Sequence, residues 1–222
     1  MSETGRENRG SPGFERVPPH ARFRDFLDPA EHARLRDWAF GREAEFEPSV
    51  VDAGQLRPEI RHSYTLGQRK LREWHGLLSD RIMGRLGDLC AAVGVERFAV
   101  ARIETQLLTY GDGAYYRQHI DSRFGKDIES LRVLSAVYYF HAEPKAYLGG
   151  ELRLHALAPG IGRYIDLTPE QNMLLVFPSW APHEVLPVQC PSGRFIDSRF
   201  AVNCWVRSAP RAAAAGPLGA PQ

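Results

Sequence analysis

Between Gln68 and Val93 the apolar residues Leu71, Trp74, Leu78, Ile82, Leu86 and Leu89 recur at intervals of three and four, the spacing of a single buried helical face. A shorter helix is predicted upstream. Asp28-Pro29-Ala30-Glu31 offers an N-cap, a proline at the first helical position and a glutamate placed for a capping box, and Leu35, Trp38 and Ala39 share one face of a helix running to about Phe46. Glu47 to Thr65 is irregular, although Ile60 to Leu66 reads as a strand. From Arg97 the pattern changes to short β-type runs between Gly and Pro turns: Phe98–Tyr110, Tyr115–His119, Leu131–His141, Glu151–His155, Tyr164–Leu167, Met173–Phe177, His183–Pro187 and Arg199–Arg207. Helices followed by strands at this spacing predict a mainly β fold, a sandwich or jelly roll supported by N-terminal α-helices.

Composition changes this picture at the ends. Residues 1–19 are polar and rich in Gly, Pro, Arg and Glu, and residues 209–222 are a low-complexity Ala, Pro and Gly tail, so both are expected to be disordered around a single folded domain at 20–208. The N-terminal segment lacks an apolar signal core and no apolar run approaches the roughly 18 residues that span a bilayer, so a cytoplasmic protein without a membrane partner is expected. Twenty-eight basic against twenty-seven acidic residues leave a charge of +1 with no basic run, and nucleic acid is not expected as a partner. Cys90, Cys190 and Cys204 have no C-x-x-C spacing and read as small buried hydrophobes rather than zinc ligands or disulfides.

Candidate chemistry begins at the end of one β-type run. In His119-Ile120-Asp121 the extended chain puts the first and third side chains on the same side, presenting an imidazole and a carboxylate together. His183, which follows the turn Pro178-Ser179-Trp180-Ala181-Pro182, is the candidate third ligand for a two-histidine, one-carboxylate iron site with open positions. Arg199 opens an alternating strand and is expected to point inward, where a guanidinium needs a carboxylate. That partner is either a dicarboxylate ligand or, structurally, Asp166 or Asp197.

These residues resemble the 2-oxoglutarate and iron(II)-dependent oxygenases, and within them the prolyl-4-hydroxylase-like branch. The resemblance covers roughly Val100 to Arg207. It rests on Tyr110-Gly111-Asp112-Gly113 leading into Tyr116-Arg117-Gln118-His119-Ile120-Asp121, then Val137-Tyr138-Tyr139-Phe140, Gly149-Gly150-Glu151-Leu152, Leu174 to Ser179, His183-Glu184-Val185, and Arg199 six residues before Trp205. It implies a double-stranded β-helix in which His119, Asp121 and His183 hold Fe(II) and form the catalytic centre. It further implies that Arg199, assisted by Tyr139, anchors the distal carboxylate of 2-oxoglutarate, with Tyr110 near the cosubstrate and Leu152 and Phe177 as apolar walls. O₂ is the co-oxidant and L-ascorbate the usual reductant. In one respect the chain departs from the family, whose arginine often lies nine or ten residues beyond the distal histidine. Arg199 lies sixteen beyond His183 and Arg194 eleven, so Arg194 competes as the anchor, with Arg199 preferred for its distance to Trp205.

The resemblance implies hydroxylation of a prolyl, peptidyl or amino-acid-like substrate, releasing succinate and CO₂. Asp121 argues against a halogenase, since related halogenases lack this carboxylate, and favours a hydroxylase, or a desaturase or cyclase using the same iron. A natural-product tailoring oxygenase of the same mechanism is the alternative within the class, and a non-catalytic metal-binding jelly roll the alternative outside it. A cupin is disfavoured because His141 and His155 fall outside the matching positions and read as surface or packing residues. Ser122 to Leu131 is a candidate mobile cover for the site, and Arg57, Arg61, Arg123 and Trp180 are candidates for its mouth.

Overall fold

The computed structural model describes residues 15–51, 54–122, 130–158 and 162–210. Residues 1–14 of the expected disordered segment 1–19, nearly all of the tail, Arg123 and most of the candidate cover at Ser122 to Leu131 lie outside them. In chain order the strands begin with β1 (Ala21–Phe23), β2 (Glu47–Pro48), β3 (Arg61–His62), β4 (Tyr64–Gly67), β5 (Val100–Tyr110), β6 (Tyr115–His119) and β7 (Arg132–Phe140). They continue with β8 (Leu148–Gly149), β9 (Leu152–His155), β10 (Tyr164–Leu167), β11 (Met173–Pro178), β12 (His183–Val185), β13 (Val188–Gln189) and β14 (Arg199–Ser208). Three helices, α1 (Pro29–Phe40), α2 (Arg72–Gly84) and α3 (Leu86–Ala92), precede β5. The architecture is the expected jelly roll: a large antiparallel sheet ordered β1-β11-β7-β14-β5-β4-β2 and a smaller one ordered β10-β9-β12-β6-β3. No helix among the described residues is long and apolar enough to cross a membrane.

The capping box of α1 forms as the sequence dictates: Asp28 accepts from the Ala30 and Glu31 amides, and Glu31 accepts from the Asp28 amide. The helix stops at Phe40, short of the expected Phe46. Gly41 closes it by donating to the Asp37 carbonyl, a single 3₁₀ turn follows at Glu43–Glu45, and Phe46 is released to pack edge-on against Phe195, 5.1 Å between centroids. The predicted helix from Gln68 to Val93 is also corrected. Its first residues form a turn closed by Lys70 and Leu71 amides on the Gly67 and Gln68 carbonyls, and it breaks at Arg85, between Gly84 and Gly87, two residues of weak helix propensity. The apolar stripe survives both changes, because Leu71, Trp74, Leu78, Ile82, Leu86 and Leu89 are all buried.

That stripe covers one face of the large sheet. Alternation along the strands sends Tyr138, Phe140, Leu174, Val176, Phe200, Val202, Cys204 and Val206 toward the helices and their neighbours toward the small sheet. The inward face carries Val137, Tyr139, Met173, Leu175, Phe177 and Ala201, clustered with Leu152 and Leu154 of β9. The predicted strand Ile60 to Leu66 is two strands in different sheets: Arg61–His62 pairs with β6 of the small sheet and Tyr64–Gly67 with β5 of the large one. Ser63 between them is buried, accepts from Arg61 Nε at 2.9 Å and donates to Ser49 Oγ at 2.9 Å. All three cysteines are buried and unbridged.

Candidate active site

β6 ends at His119, and antiparallel pairing with β12 sets His183 directly opposite it, so strand register brings the two imidazoles together, 4.2 Å between ring centroids. Asp121 lies two residues beyond the end of the strand. The Ser179 carbonyl accepts from both the Asp121 and Ser122 amides, at 3.0 and 2.9 Å, which fixes the backbone there. The carboxylate lies 3.9 Å from His119 Nε2 and 3.6 Å from His183 Nε2. One ligand atom from each of the three side chains lies within 4.8 Å of the others, close enough for a single ion to touch all three.

Hydrogen bonds select the chemical state of each group. His119 Nδ1 faces the Arg117 carbonyl at 2.8 Å and His183 Nδ1 faces the Ala181 carbonyl at 2.9 Å. A carbonyl only accepts, so both rings carry their proton on Nδ1 and turn the Nε2 lone pair toward Asp121, the tautomer a metal requires. Burial, reinforced by neighbouring His183, drives the His119 pKa down to about 3. Burial would raise Asp121, but His183, His119 and hydrogen bonds from Ser135 and Trp205 outweigh it and hold the carboxyl below its ordinary value. Ser135 Oγ donates to Asp121 Oδ2 at 2.7 Å and lies 2.8 Å from Ser179 Oγ. These residues fit a divalent ion: two neutral imidazoles and one ionised carboxylate converge with their protons directed elsewhere.

Arg199 sits at the other end of the inward face, six residues along β14 from Trp205, which pairs with Ser135. It is 1% exposed and its Nε donates to the Gly150 carbonyl at 2.7 Å, but Nη1 and Nη2 have no hydrogen-bond partner among the described residues. The structural alternatives are excluded, since Asp166 is paired with Arg153 at 2.7 Å and Asp197 accepts from Ser192 at 2.7 Å. The guanidinium is stacked between Tyr110 and Tyr139, 4.8 and 4.9 Å from the ring centroids. The Tyr139 hydroxyl is likewise buried without a hydrogen bond of ordinary geometry, and burial, partly offset by the Arg199 charge, pushes its pKa up to about 12. A buried cation with unsatisfied donors is costly alone and suits a bound anion. Arg194 is exposed and 3.8 Å from Asp197, so it does not share this setting.

Phe177 and Leu152 both lie in the apolar cluster that contains Tyr139, and the Phe177 ring packs edge-on against His183, 4.8 Å between centroids. Outside the triad a cleft of about 800 Å³ runs past His119, Asp121, Tyr116, Arg61, Gln106, Gln118, Asn203 and Trp205. Arg61 therefore reaches the mouth as expected. Arg57 does not line this cleft and instead pairs with Glu59 at 2.6 Å; Trp180 does not line it either. His155 lies 3.0 Å from Glu184, and His141 Nδ1 faces the Ala142 carbonyl, which makes both packing residues. Sequence reasoning missed Ser135. Its signal was a lone hydroxyl in phase with Val137 and Tyr139 on the inward face of a buried strand.

A jelly roll with two histidines and an aspartate at its mouth, and an unpaired arginine deeper between its sheets, is an arrangement that could hold a metal ion and, apart from it, an anion. Comparison with known proteins narrows this. Residues 105–207 match the 2OG-Fe(II) oxygenase superfamily, whose members use Fe(II), 2-oxoglutarate and O₂. The chain is 35% identical over 196 residues to an uncharacterized PKHD-type hydroxylase of Synechocystis sp., a match covering 85% of this chain and 63% of that protein, so it spans less than two thirds of that relative's length. It is similar to a Pseudomonas putida prolyl-4-hydroxylase at 27% identity and TM-score 0.58, covering 86% of this chain and 93% of the other. It shares its fold with a prolyl hydroxylase solved in complex with a hypoxia inducible factor peptide fragment from Trichoplax adhaerens, at 18% identity and TM-score 0.61, covering 85% and 83%.

Proposed function

We propose that this chain is an iron(II)- and 2-oxoglutarate-dependent hydroxylase in which His119, Asp121 and His183 hold the metal and Arg199, flanked by Tyr139 and Tyr110, holds the distal carboxylate of the cosubstrate. The observation that carries this reading is Arg199: a guanidinium 1% exposed with both terminal nitrogens unpaired, on the same sheet face as the residue that orients Asp121. When bound, iron and cosubstrate supply the oxidative decarboxylation that releases succinate and CO₂ and places one oxygen atom on a substrate C–H. The protein's part is positional. Backbone carbonyls of Arg117 and Ala181 hold the imidazoles in one tautomer, Ser135 holds the carboxylate, and Phe177 and Leu152 keep water from the space between the metal and Arg199.

The substrate is a prolyl or other peptidyl residue. Gln106, Gln118 and Asn203 line the cleft beside the triad, and their amides both donate and accept, as the backbone of an extended peptide demands. The test is anaerobic titration of the iron(II) protein with 2-oxoglutarate. A visible charge-transfer band is expected for the wild type and none for His183→Ala. An iron-loaded wild type without a band would overturn the cosubstrate reading in favour of a non-catalytic metal-binding jelly roll. Mass spectrometry of proline-containing peptides incubated with the complete enzyme then tests the substrate, by gain of one oxygen atom on proline.

A further inference from the structure

Tyr147 belongs to none of the motifs that pointed to the site, yet it completes a pattern there. It precedes β8 by one residue, is 2% exposed, and its hydroxyl has no hydrogen-bond partner among the described residues. Its ring packs in one cluster with Tyr110, Val185 and Val188. Tyr110 of the same cluster has the Arg199 guanidinium 4.8 Å from its ring centroid, and burial drives the Tyr147 phenol well above its ordinary range, partly offset by the Arg199 charge. Tyr139 acts on it as well.

The backbone that follows explains how Tyr147 and Arg199 are held together. Gly149 and Gly150 have φ of +72° and +69°, and a Cβ on Gly150 would stand 2.7 Å from Arg199 Cδ while one on Gly149 would stand 2.3 Å from the Pro187 carbonyl oxygen. Only glycine tolerates both the turn and the approach. The turn delivers the Gly150 carbonyl to Arg199 Nε, so one four-residue segment aims the guanidinium and contributes the phenol.

We propose that Tyr147 is a cosubstrate-binding residue whose hydroxyl donates to the distal carboxylate of 2-oxoglutarate, alongside Arg199 and Tyr139. The donor count supports it: a carboxylate offers about four lone-pair sites, and among the described residues Arg199 Nη1, Arg199 Nη2, the Tyr139 hydroxyl and the Tyr147 hydroxyl are four buried donors without a hydrogen bond of ordinary geometry. The inference rests on the cosubstrate reading above, and its test separates the two.

Anaerobic iron(II) protein, wild type and Tyr147→Phe, is titrated with 2-oxoglutarate and with 2-oxobutyrate, which shares the chelating end and lacks the distal carboxylate. Loss of one hydrogen bond to a charged group predicts that Tyr147→Phe binds 2-oxoglutarate about tenfold to a hundredfold more weakly, with 2-oxobutyrate and iron affinities within about twofold of wild type. Because the variant removes an unpaired buried hydroxyl, metal-free Tyr147→Phe is expected to melt at or above the wild-type temperature. Unchanged 2-oxoglutarate affinity, equal losses for the two acids, or a lower melting temperature would each overturn the proposal, the last by assigning the hydroxyl to structure. A wild type that binds neither acid would overturn the cosubstrate reading itself.

Discussion

Tyr138 and Tyr139 are neighbours on β7, both essentially inaccessible to solvent, and differ in what their hydroxyls meet. Tyr138 points to the helical side, where it donates to Asn172 Oδ1 at 2.9 Å and lies 2.7 Å from His32 Nδ1. Tyr139 points between the sheets, where its hydroxyl joins the unpaired nitrogens of Arg199. The hydroxyl on the helical side is satisfied, and the one between the sheets is not. Unpaired polar groups cost a fold roughly 1–3 kcal/mol each, so the gathering of a buried guanidinium and a buried phenol at one spot between the sheets marks a place where stability is given up for binding.

Substitutions should therefore separate the faces. On the helical side Phe200, fully buried and stacked 5.2 Å from Phe140, is expected on conversion to Ala to cost about 3–5 kcal/mol in denaturant unfolding. If that loss were below about 1 kcal/mol, the outer face would not be the stabilising one. Arg199→Met should do the reverse: 2-oxoglutarate affinity, read from the charge-transfer band, falls by about a hundredfold or more, while the melting temperature of the metal-free protein holds or rises because an unpaired buried charge is replaced by apolar volume. The tyrosine pair gives the sharpest contrast. Tyr138→Phe leaves Asn172 and His32 with one partner fewer and should destabilise by about 1–2 kcal/mol, whereas Tyr139→Phe should spare stability and weaken the cosubstrate about tenfold.

The smallest effect concerns the charged rim of the inward face. Burial would raise Glu104, but Arg132, at 2.7 Å, and Arg207, at 3.1 Å, outweigh it and hold the carboxyl below its ordinary value of 4.5. A depressed folded-state value contributes stability above pH 4.5 that is lost as pH falls through the lower, folded value. Acid unfolding of Glu104→Gln should accordingly be less steep below that pH than for the wild type, and parallel acid limbs would show that the rim carries no such linkage.

What could be read from the chain beforehand follows the same division. Period and capping rules found the helical stripe and the Asp28 box, because those depend on neighbours in sequence. They overran the helix ends, where the deciding contacts are distant: Phe46 leaves the helix for Phe195, a residue nearly 150 positions away. The triad was legible because strand alternation placed His119 with Asp121 and motif order supplied His183. Tyr147 was not, since nothing local distinguishes it from a packing aromatic; only the return of the chain at Gly149 and Gly150 brings its segment to Arg199. β1 and β8 were missed because two- and three-residue strands carry too few positions for a period to register.

The passage of the chain through Ser63 acts as a clasp. Arg61 and His62 are laced into one sheet and Tyr64 to Gly67 into the other, so a single residue ties the two jaws of the mouth together at the edge where the cleft begins. A roll fastened at that hem cannot widen by letting its sheets drift apart there. The gauge of what this protein admits is set by the tether as much as by the side chains that greet the guest.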